Sequence, residues 1–148
     1  LPILATLIDA GKLLPAQLVL EVTETAIMKD IPTIKNTLNI LSKQGFMISL
    51  DDFGTGYSSL SMLLELPINQ IKIDRSFVTP MDTDKINNAI VKSIIFMAHN
   101  LDCSVVAEGV ETLTLVDKLN DLKCDYLQGY YFSKALPVQD LIEYYKQQ

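Results

Sequence analysis

Short apolar runs, each closed by an acidic or amide residue, recur along the chain. They span residues 18–21, 47–52, 71–74, 105–108 and 126–128. Four of these runs are followed by a loop and then by apolar residues at helical spacing. This alternation predicts parallel strands joined by right-handed crossovers, whose carboxyl ends meet on the face that holds the active site. We therefore expect the polar residues that close the runs to lie together.

Periodicity and capping residues predict the individual elements. Strands are predicted at 18–22, 46–51, 69–73, 104–107 and 126–128, and later helices at about 58–64, 84–100, 112–122 and from 138 onward. An earlier helix is predicted to end before Gly11, and another to run between a cap at Asp30, with Pro32 in its first turn, and Gly45. The longest helix is predicted to bury one face, formed by Ile86, Ile90, Ile94 and Met97.

The predicted fold class is α/β, with two architectures open at this point. Five parallel strands could form an open doubly wound sheet or five-eighths of a (β/α)8 barrel. The strands are mostly apolar, which predicts that helices or a barrel core cover both faces of the sheet. A complete barrel needs roughly 250 residues, whereas the chain has 148.

Composition and charge narrow the classes of partner. The chain is 49% hydrophobic, which predicts one ordinary core, and its net charge is −6 without a basic run. That charge argues against long nucleic acid and against direct contact with an anionic membrane, but a metal ion would still allow a small phosphorylated ligand. The two cysteines have neither paired spacing nor a disulfide pattern, so we expect buried, reduced thiols and a cytoplasmic location. No apolar stretch is long enough to suggest a transmembrane helix.

Asp51 and Asp52 are the first candidates for chemistry. Neighbouring carboxylates at a strand end point in different directions, so they could serve two metal ions or one metal ion and a water molecule. The following residues, Gly54, Thr55 and Gly56, let the backbone turn sharply and approach a ligand. The alternative interpretation is an Asp-rich turn with ordinary capping.

Two further pairs of glutamates follow predicted strands. Glu21 and Glu24 come after the first strand, and Glu108 and Glu111 come after the fourth. Carboxylates at strand ends suit hard cations such as Mg²⁺ or Mn²⁺. The alternatives are solvated loop residues and, for Glu111, a place in the first turn of the next helix.

Lys72 lies between two isoleucines within a strand, so its side chain points away from its apolar neighbours. In a barrel that direction is inward, where an ammonium group requires carboxylate or phosphate partners. The alternative is an exposed lysine on an edge strand. His99 is the only histidine and is expected near a helix end, which leaves little support for a zinc site or a Ser-His-Asp triad.

Five motifs together resemble one known family. Residues 20–24, 50–60, 71–77, 106–111 and 124–132 read Leu-Glu-Val-Thr-Glu, Leu-Asp-Asp-Phe-Gly-Thr-Gly-Tyr-Ser-Ser-Leu, Ile-Lys-Ile-Asp-Arg-Ser-Phe, Val-Ala-Glu-Gly-Val-Glu and Cys-Asp-Tyr-Leu-Gln-Gly-Tyr-Tyr-Phe. Their order and spacing resemble the EAL-type cyclic di-GMP phosphodiesterases. The resemblance implies a partial (β/α)8 TIM-type barrel of about five parallel βα units. It also implies hydrolysis of cyclic di-GMP to the linear dinucleotide pGpG with Mg²⁺ or Mn²⁺ in a two-metal site.

The resemblance further implies a role for each matching residue. Glu21 and Asp51 would be metal ligands, and Asp52 would contact the second metal. Lys72 would position the attacking water and stabilise phosphate charge, and Glu108 would bind metal or act as general base.

The remaining matches are implied to support the site or the substrate. Gln128 would support the water or the substrate, and residues 54–56 would approach the substrate. Glu24 would hold the Asp-Asp-Phe-Gly loop in its competent shape, with Glu111 in a similar supporting role.

The chain also departs from the family pattern. The Glu-Ala-Leu signature and an asparagine from the next strand, both in the N-terminal part of the family's domain, are not in this sequence. We therefore expect residues 1–148 to be the C-terminal portion of a single EAL domain. A non-catalytic receptor for cyclic di-GMP is the alternative function. By the same resemblance, a homodimer and an upstream sensory or cyclase domain are expected partners.

Overall fold

The computed structural model describes residues 2–56 and 60–146. The strands are β1 Val19–Thr23, β2 Met47–Phe53, β3 Gln70–Ile73, β4 Ser104–Glu108 and β5 Tyr126–Gln128. The α-helices are α1 Pro2–Asp9, α2 Glu24–Lys29, α3 Ile31–Lys43, α4 Leu60–Glu65, α5 Arg75–Val78, α6 Lys85–Asn100, α7 Leu113–Asp121 and α8 Val138–Lys146. Short 3-10 turns lie at Pro15–Gln17 and Thr79–Asp82. The predicted α/β class and all five predicted strands are confirmed.

The strands form one parallel sheet in the order of the chain. Each strand pairs in parallel with the next, so β3 lies in the centre and β1 and β5 form the two edges. Because every strand runs in the same direction, all carboxyl ends lie along one edge of the sheet. The closing residues of the five strands are therefore brought to that edge.

One face of the sheet packs into the hydrophobic core. Leu50, Ile71 and Val105 are fully buried there, in a cluster with helix residues such as Ile27 and Val91. The opposite face, which we call the site face, carries the residues at alternate strand positions. Its polar members include Glu21, Ser49, Asp51, Lys72 and Glu108.

The two faces of the sheet differ in polarity. The site face is largely polar, and of its apolar residues Val106 is buried, whereas Val19, Met47 and Tyr126 are between about a third and three-fifths exposed. Most of the apolar residues of the strands lie on the core face. The polar residues that interrupt each run lie at alternate positions, on the site face. The helices pack against the core face, so the candidate site lies on the opposite, polar face of the sheet.

The helix boundaries largely follow the capping residues. Asp30 caps α3 by accepting a hydrogen bond from the backbone N–H of Thr33, and Gly45 follows the helix with φ +92°. The predicted buried face of α6 was partly wrong, because Ile86 is 71% exposed and the buried residues are Val91, Ile94, Ile95 and Ala98. The predicted start of α4 at residue 58 lies outside the described residues. Helices α2 and α5 were not predicted.

The cysteines and the helix lengths bear on two further expectations. Cys103 and Cys124 are free and buried, as predicted. Within residues 2–56 and 60–146, no helix combines the length and the apolar character needed to cross a membrane.

Candidate functional site

A β-bulge in β2 brings two adjacent carboxylates to the same place. Leu50 pairs with Ile71 but Phe53 pairs with Ile73, so Asp51 and Asp52 together stand opposite the single residue between those isoleucines. Asp52 has φ +55°, in the left-handed region that few non-glycine residues adopt. Bulges are common next to active sites because the extra residue redirects a side chain. The two aspartates were predicted to point in different directions, but the bulge lets both present an oxygen to the same place.

Three carboxylates surround the side chain of Lys72. Its Nζ lies 2.8 Å from Glu108 Oε1, 2.9 Å from Glu21 Oε1 and 3.1 Å from Asp51 Oδ1. Lys72 is 6% exposed, on the central strand β3, with its partners on β1, β2 and β4. The alternative of an exposed edge-strand lysine is excluded by this burial. We refer to Glu21, Asp51, Lys72 and Glu108, together with Asp52, as the carboxylate–lysine cluster.

The charges of the cluster shift the pKa values of two of its members. Burial acts to lower the pKa of Lys72, but its contacts with Glu108, Glu21 and Asp51 outweigh burial and raise the pKa above its usual range. Burial, followed by the negative charges of Asp51 and Asp74, raises the pKa of Asp52. Lys72 is therefore a fixed positive charge within the cluster.

Glu24 lies below the loop that follows β2. The residue is 1% exposed, and its Oε2 accepts hydrogen bonds from the backbone N–H groups of Gly54 at 3.2 Å and Gly56 at 3.3 Å. A Cβ added to Gly56 would lie 2.7 Å from Glu24 Oε1, so the loop approaches the carboxylate too closely for another side chain. Glu24 is the first residue of α2, which Thr23 caps. The interpretation of Glu24 as a solvated loop residue was wrong.

The loop itself also packs against α5. A Cβ added to Gly54 would lie 3.0 Å from the ring of Phe77, and Gly54 has φ +97°. Thr55 donates from its hydroxyl to the carbonyl of Asp52 at 2.9 Å. Gly54, Thr55 and Gly56 are exposed, so this loop borders the cluster from the solvent side.

The other side of the cluster is formed by β4, β5 and their following loops. Gln128 pairs with Glu108 across the two strands, and its carbonyl accepts a hydrogen bond from Val110 N at 3.1 Å. Glu111 precedes Thr112, the N-cap of α7, so the alternative place in the first turn of that helix is excluded. A cavity of about 200 Å³ lies here, lined by Arg75, Glu108, Gly109, Glu111, Gln128, Gly129 and Tyr130.

Asp74 and Arg75 connect β3 to this cavity. Asp74 caps α5 by accepting a hydrogen bond from Ser76 N at 2.9 Å. Burial acts to raise the pKa of Asp74, but hydrogen bonds from Ser76 and Arg75 outweigh it and hold the pKa below the usual value. Arg75 is the only arginine of the chain and lines the cavity beside Glu108.

The donor set fits a hard divalent cation. Asp51, Asp52 and Glu108 each offer a carboxylate oxygen, and these oxygens lie within 4.8 Å of one another. Asp51 Oδ1 is buried and makes no contact with hydrogen-bond geometry in the described part of the chain, although it lies 3.1 Å from Lys72 Nζ. Oxygen-only ligands are those that Mg²⁺, Mn²⁺ and Ca²⁺ prefer. The fold and the site thus define an α/β protein with a candidate divalent-cation site at the carboxyl edge of its parallel sheet.

Comparison with known proteins gives the family. The sequence model of the EAL domain matches residues 2–135, and the chain belongs to the EAL domain family. It is 46% identical over 126 residues to the probable cyclic di-GMP phosphodiesterase PdeG of Escherichia coli, covering 85% of the chain and 25% of PdeG.

Solved structures agree with this assignment. The PaMucR phosphodiesterase in complex with c-di-GMP superimposes with a TM-score of 0.86 at 41% identity, over 93% of this chain and 55% of that one. The manganese and cyclic di-GMP complex of Klebsiella pneumoniae BlrP1 has a TM-score of 0.81 at 36% identity, over 89% of this chain and 33% of that one. The chain therefore spans between a quarter and about half of the length of these relatives.

The structure brings most of the candidate residues together. Glu21, Asp51, Asp52, Lys72 and Glu108 form the cluster, whereas Glu24 lies beneath the adjoining loop and Gln128 and Glu111 line the neighbouring cavity. Sequence reasoning missed Arg75 and Ser49. Ser49 precedes Asp51 by two positions, so strand alternation alone would have placed it on the site face.

Proposed function

We propose that this chain carries out, as part of an EAL domain, the metal-dependent hydrolysis of cyclic di-GMP to the linear dinucleotide pGpG. Membership of the EAL family, and similarity to the probable cyclic di-GMP phosphodiesterase PdeG and to the PaMucR phosphodiesterase in complex with c-di-GMP, support this substrate. The observation that carries the proposal is the convergence of carboxylates from β1, β2 and β4 on the buried ammonium of Lys72.

In this proposal the cluster holds the metal and the phosphate. Glu21, Asp51, Asp52 and Glu108 supply the oxygen ligands for Mg²⁺ or Mn²⁺. When bound, such ions supply a nucleophilic water at neutral pH and neutralise the charge of the phosphoryl group. The manganese complex of BlrP1 supports Mn²⁺ as one of the ions that this site accepts.

In this proposal, side chains of the chain itself accept the proton from water and stabilise the charge on the phosphate. An oxygen of Glu108 accepts a proton from the attacking water, whose oxygen forms the new bond to phosphorus. The bond from phosphorus to one bridging ester oxygen breaks, that oxygen takes up a proton from solvent and leaves as a hydroxyl, and Glu108 returns its proton to solvent. Lys72 Nζ stabilises the negative charge on the non-bridging phosphate oxygens. The side-chain amide of Gln128 orients the water or the adjacent phosphate, and the Gly54–Gly56 loop contacts the substrate.

The surroundings of the cluster have supporting roles. Glu24 holds the loop through two backbone N–H groups, and Glu111 lines the cavity that receives part of the ligand. We also propose a cytoplasmic location and an upstream sensory or cyclase domain. The similarity to MucR of Pseudomonas aeruginosa, a bifunctional diguanylate cyclase and cyclic di-GMP phosphodiesterase, supports such a domain.

The first experiment is a turnover assay of the chain with cyclic di-GMP and Mg²⁺ or Mn²⁺, with products separated by chromatography. We expect formation of pGpG that is lost in Asp51→Asn. The matched control is Asp117→Asn, because Asp117 is exposed on α7, away from the cluster. Turnover that survives in Asp51→Asn, or the absence of any product from the unsubstituted chain, would contradict the proposal for this chain.

A further inference from the structure

Ser49 lies beside the carboxylate–lysine cluster but is not one of its members. The residue is fully buried in β2, and its side chain lies on the site face between Glu21 on β1 and Gln70 on β3. Ser49 Oγ has no hydrogen-bond partner within residues 2–56 and 60–146. A buried hydroxyl without a hydrogen-bond partner is unfavourable and is rare in native proteins. We therefore expect Ser49 Oγ to form a hydrogen bond in the functional protein.

The neighbours of Ser49 limit where that interaction lies. On one side, Gln70 already donates from its amide to Ser104 Oγ at 3.4 Å. On the other side, Glu21 is drawn towards Lys72, which it contacts at 2.9 Å. The remaining polar neighbour on the same strand and the same face is Asp51, two residues further along.

Asp51 Oδ1 resembles Ser49 Oγ in its burial and in its lack of a partner with hydrogen-bond geometry. Both atoms are buried and lack a partner with hydrogen-bond geometry in the part of the chain that is described, although Asp51 Oδ1 lies 3.1 Å from Lys72 Nζ. Residues i and i+2 of a strand are about 6.6 Å apart along the backbone, a separation that side chains or one bridging water molecule can span. Ser49 therefore has a carboxylate acceptor two positions further along the same face of β2, and its hydroxyl would be a donor to Asp51 in addition to Lys72, which Asp51 already contacts.

We propose that Ser49 is a positioning residue of the metal centre. Its hydroxyl donates to the carboxylate of Asp51, directly or through one water molecule, and so fixes the orientation in which Asp51 presents oxygen to a divalent cation. The inference rests on the metal centre of the proposed function. Carboxylate ligands are generally held by such outer hydrogen bonds, and losing one typically weakens metal binding roughly 10–100-fold.

Two substitutions separate hydrogen bonding from packing. Ser49→Ala removes the hydroxyl, and Ser49→Cys keeps a side chain of similar size with a much weaker donor. Ser104→Ala is the matched control, because Ser104 also lies on the site face but its hydroxyl already contacts Asn69 O and Gln70. Circular dichroism and thermal unfolding establish that each variant is folded.

The primary measurement is Mn²⁺ binding, read from the magnetic resonance signal of free Mn²⁺. We expect the Kd for Mn²⁺ to rise roughly 10-fold in Ser49→Ala and in Ser49→Cys, and to stay unchanged in Ser104→Ala. An unchanged Kd in Ser49→Ala, or full recovery in Ser49→Cys, would overturn the proposal.

The outcomes also separate this inference from the proposed function. Mn²⁺ binding that depends on Ser49 without hydrolysis of cyclic di-GMP would overturn only the proposed activity. Hydrolysis with Mn²⁺ binding that is insensitive to Ser49→Ala would overturn only the role of Ser49. A chain that binds no Mn²⁺ would contradict both.

Discussion

At the scale of single residues, Lys72 acts as an internal counter-cation. Its ammonium lies within 3.1 Å of carboxylates from β1, β2 and β4, which would otherwise repel one another. The lysine therefore keeps prospective ligands assembled in the protein without metal. A cation that enters the cluster has to share these oxygens with the ammonium.

Substitution of Lys72 by methionine tests this competition. Without metal we expect Lys72→Met to lose about 2–3 kcal/mol of stability, because the carboxylates remain but their common partner is gone. Added Mn²⁺ should then raise the Tm of the variant more than it raises the Tm of the unsubstituted chain. Thermal unfolding with and without Mn²⁺ measures both effects, and an equal or smaller rise in the variant would contradict the counter-cation role.

A second prediction concerns Glu24. Glu24→Gln keeps the shape of the side chain but replaces one oxygen by an N–H donor and removes the charge from both hydrogen bonds to the loop. Hydrogen bonds to charged groups contribute about 1.5–3 kcal/mol each, so the amides of Gly54 and Gly56 should exchange faster with solvent and hydrolysis should fall at least about 10-fold. Hydrogen exchange followed by NMR gives the first quantity directly.

The control for this prediction is Glu65→Gln. Glu65 makes an exposed ion pair with Lys35 at 2.7 Å, and such pairs contribute little to stability. Exchange at Gly54 and Gly56 that is the same in Glu24→Gln and in Glu65→Gln would rule out the loop-holding role.

Single residues also show how far the sequence predicts the site. The convergence of Glu21, Asp51, Lys72 and Glu108 follows from strand-end position and alternation, because parallel strands share one carboxyl edge. The approach of Asp52 does not follow, since it depends on a bulge that breaks the alternation. The burial of Glu24 depends on a loop 30 residues away, beyond the reach of local patterns.

At the scale of elements, the junction between β4 and β5 tolerates no extra atom. A Cβ on Gly129 would lie 2.0 Å from Val110 O and 2.4 Å from Val110 N, both backbone atoms. Val110 N donates to Gln128 O, and Val110 O accepts from Tyr131 N, so two hydrogen bonds join the segments at this point. The position of Gln128 beside Glu108 depends on this close backbone approach.

Gly129→Ala should therefore be costly, while another glycine serves as control. We expect a loss of about 3 kcal/mol for Gly129→Ala, because backbone cannot move aside as a flexible side chain would. Gly11→Ala should lose only about 1 kcal/mol, since Gly11 has φ +66° but no atom within 4 Å of the added Cβ. Urea unfolding measures both, and equal losses would contradict the steric argument.

The element boundaries show which local rules were sufficient. Caps such as Asp30 marked helix starts well, because their hydrogen bonds are local. The six-residue α2 was missed because its sequence is too short to establish a helical period. The exposed Ile86 shows that periodicity gives a stripe of residues but not how far neighbouring elements cover it.

At the scale of the whole molecule, burial of Cys124 couples stability to pH. Cys124 packs in the core, and burial raises the pKa of its thiol to about 11. An unfolded chain loses that proton near the usual thiol pKa of about 8.5. Between these two values the folded state binds the extra proton, so stability present at lower pH is lost as pH rises.

This coupling predicts a pH-dependent difference between two proteins. Between about pH 7.5 and about pH 10, the free energy of unfolding of the unsubstituted chain should fall by on the order of 1–2 kcal/mol because of Cys124. Cys124→Ala has no thiol at this position, so its free energy of unfolding lacks this contribution. Cys124→Ala is less stable at neutral pH because of the lost packing, and the gap should narrow at high pH. Urea unfolding at both pH values decides this, and a constant gap would contradict it.

The order of the strands has a consequence for biosynthesis. Every strand pairs only with its neighbours along the chain, so no pairing in the described sheet waits for a segment that is made much later. A nascent polypeptide leaves the ribosome from its amino end and folds in units as they emerge. Each new βα unit can thus dock onto an edge that is already in place, and the carboxylate–lysine cluster is completed as the fourth strand arrives.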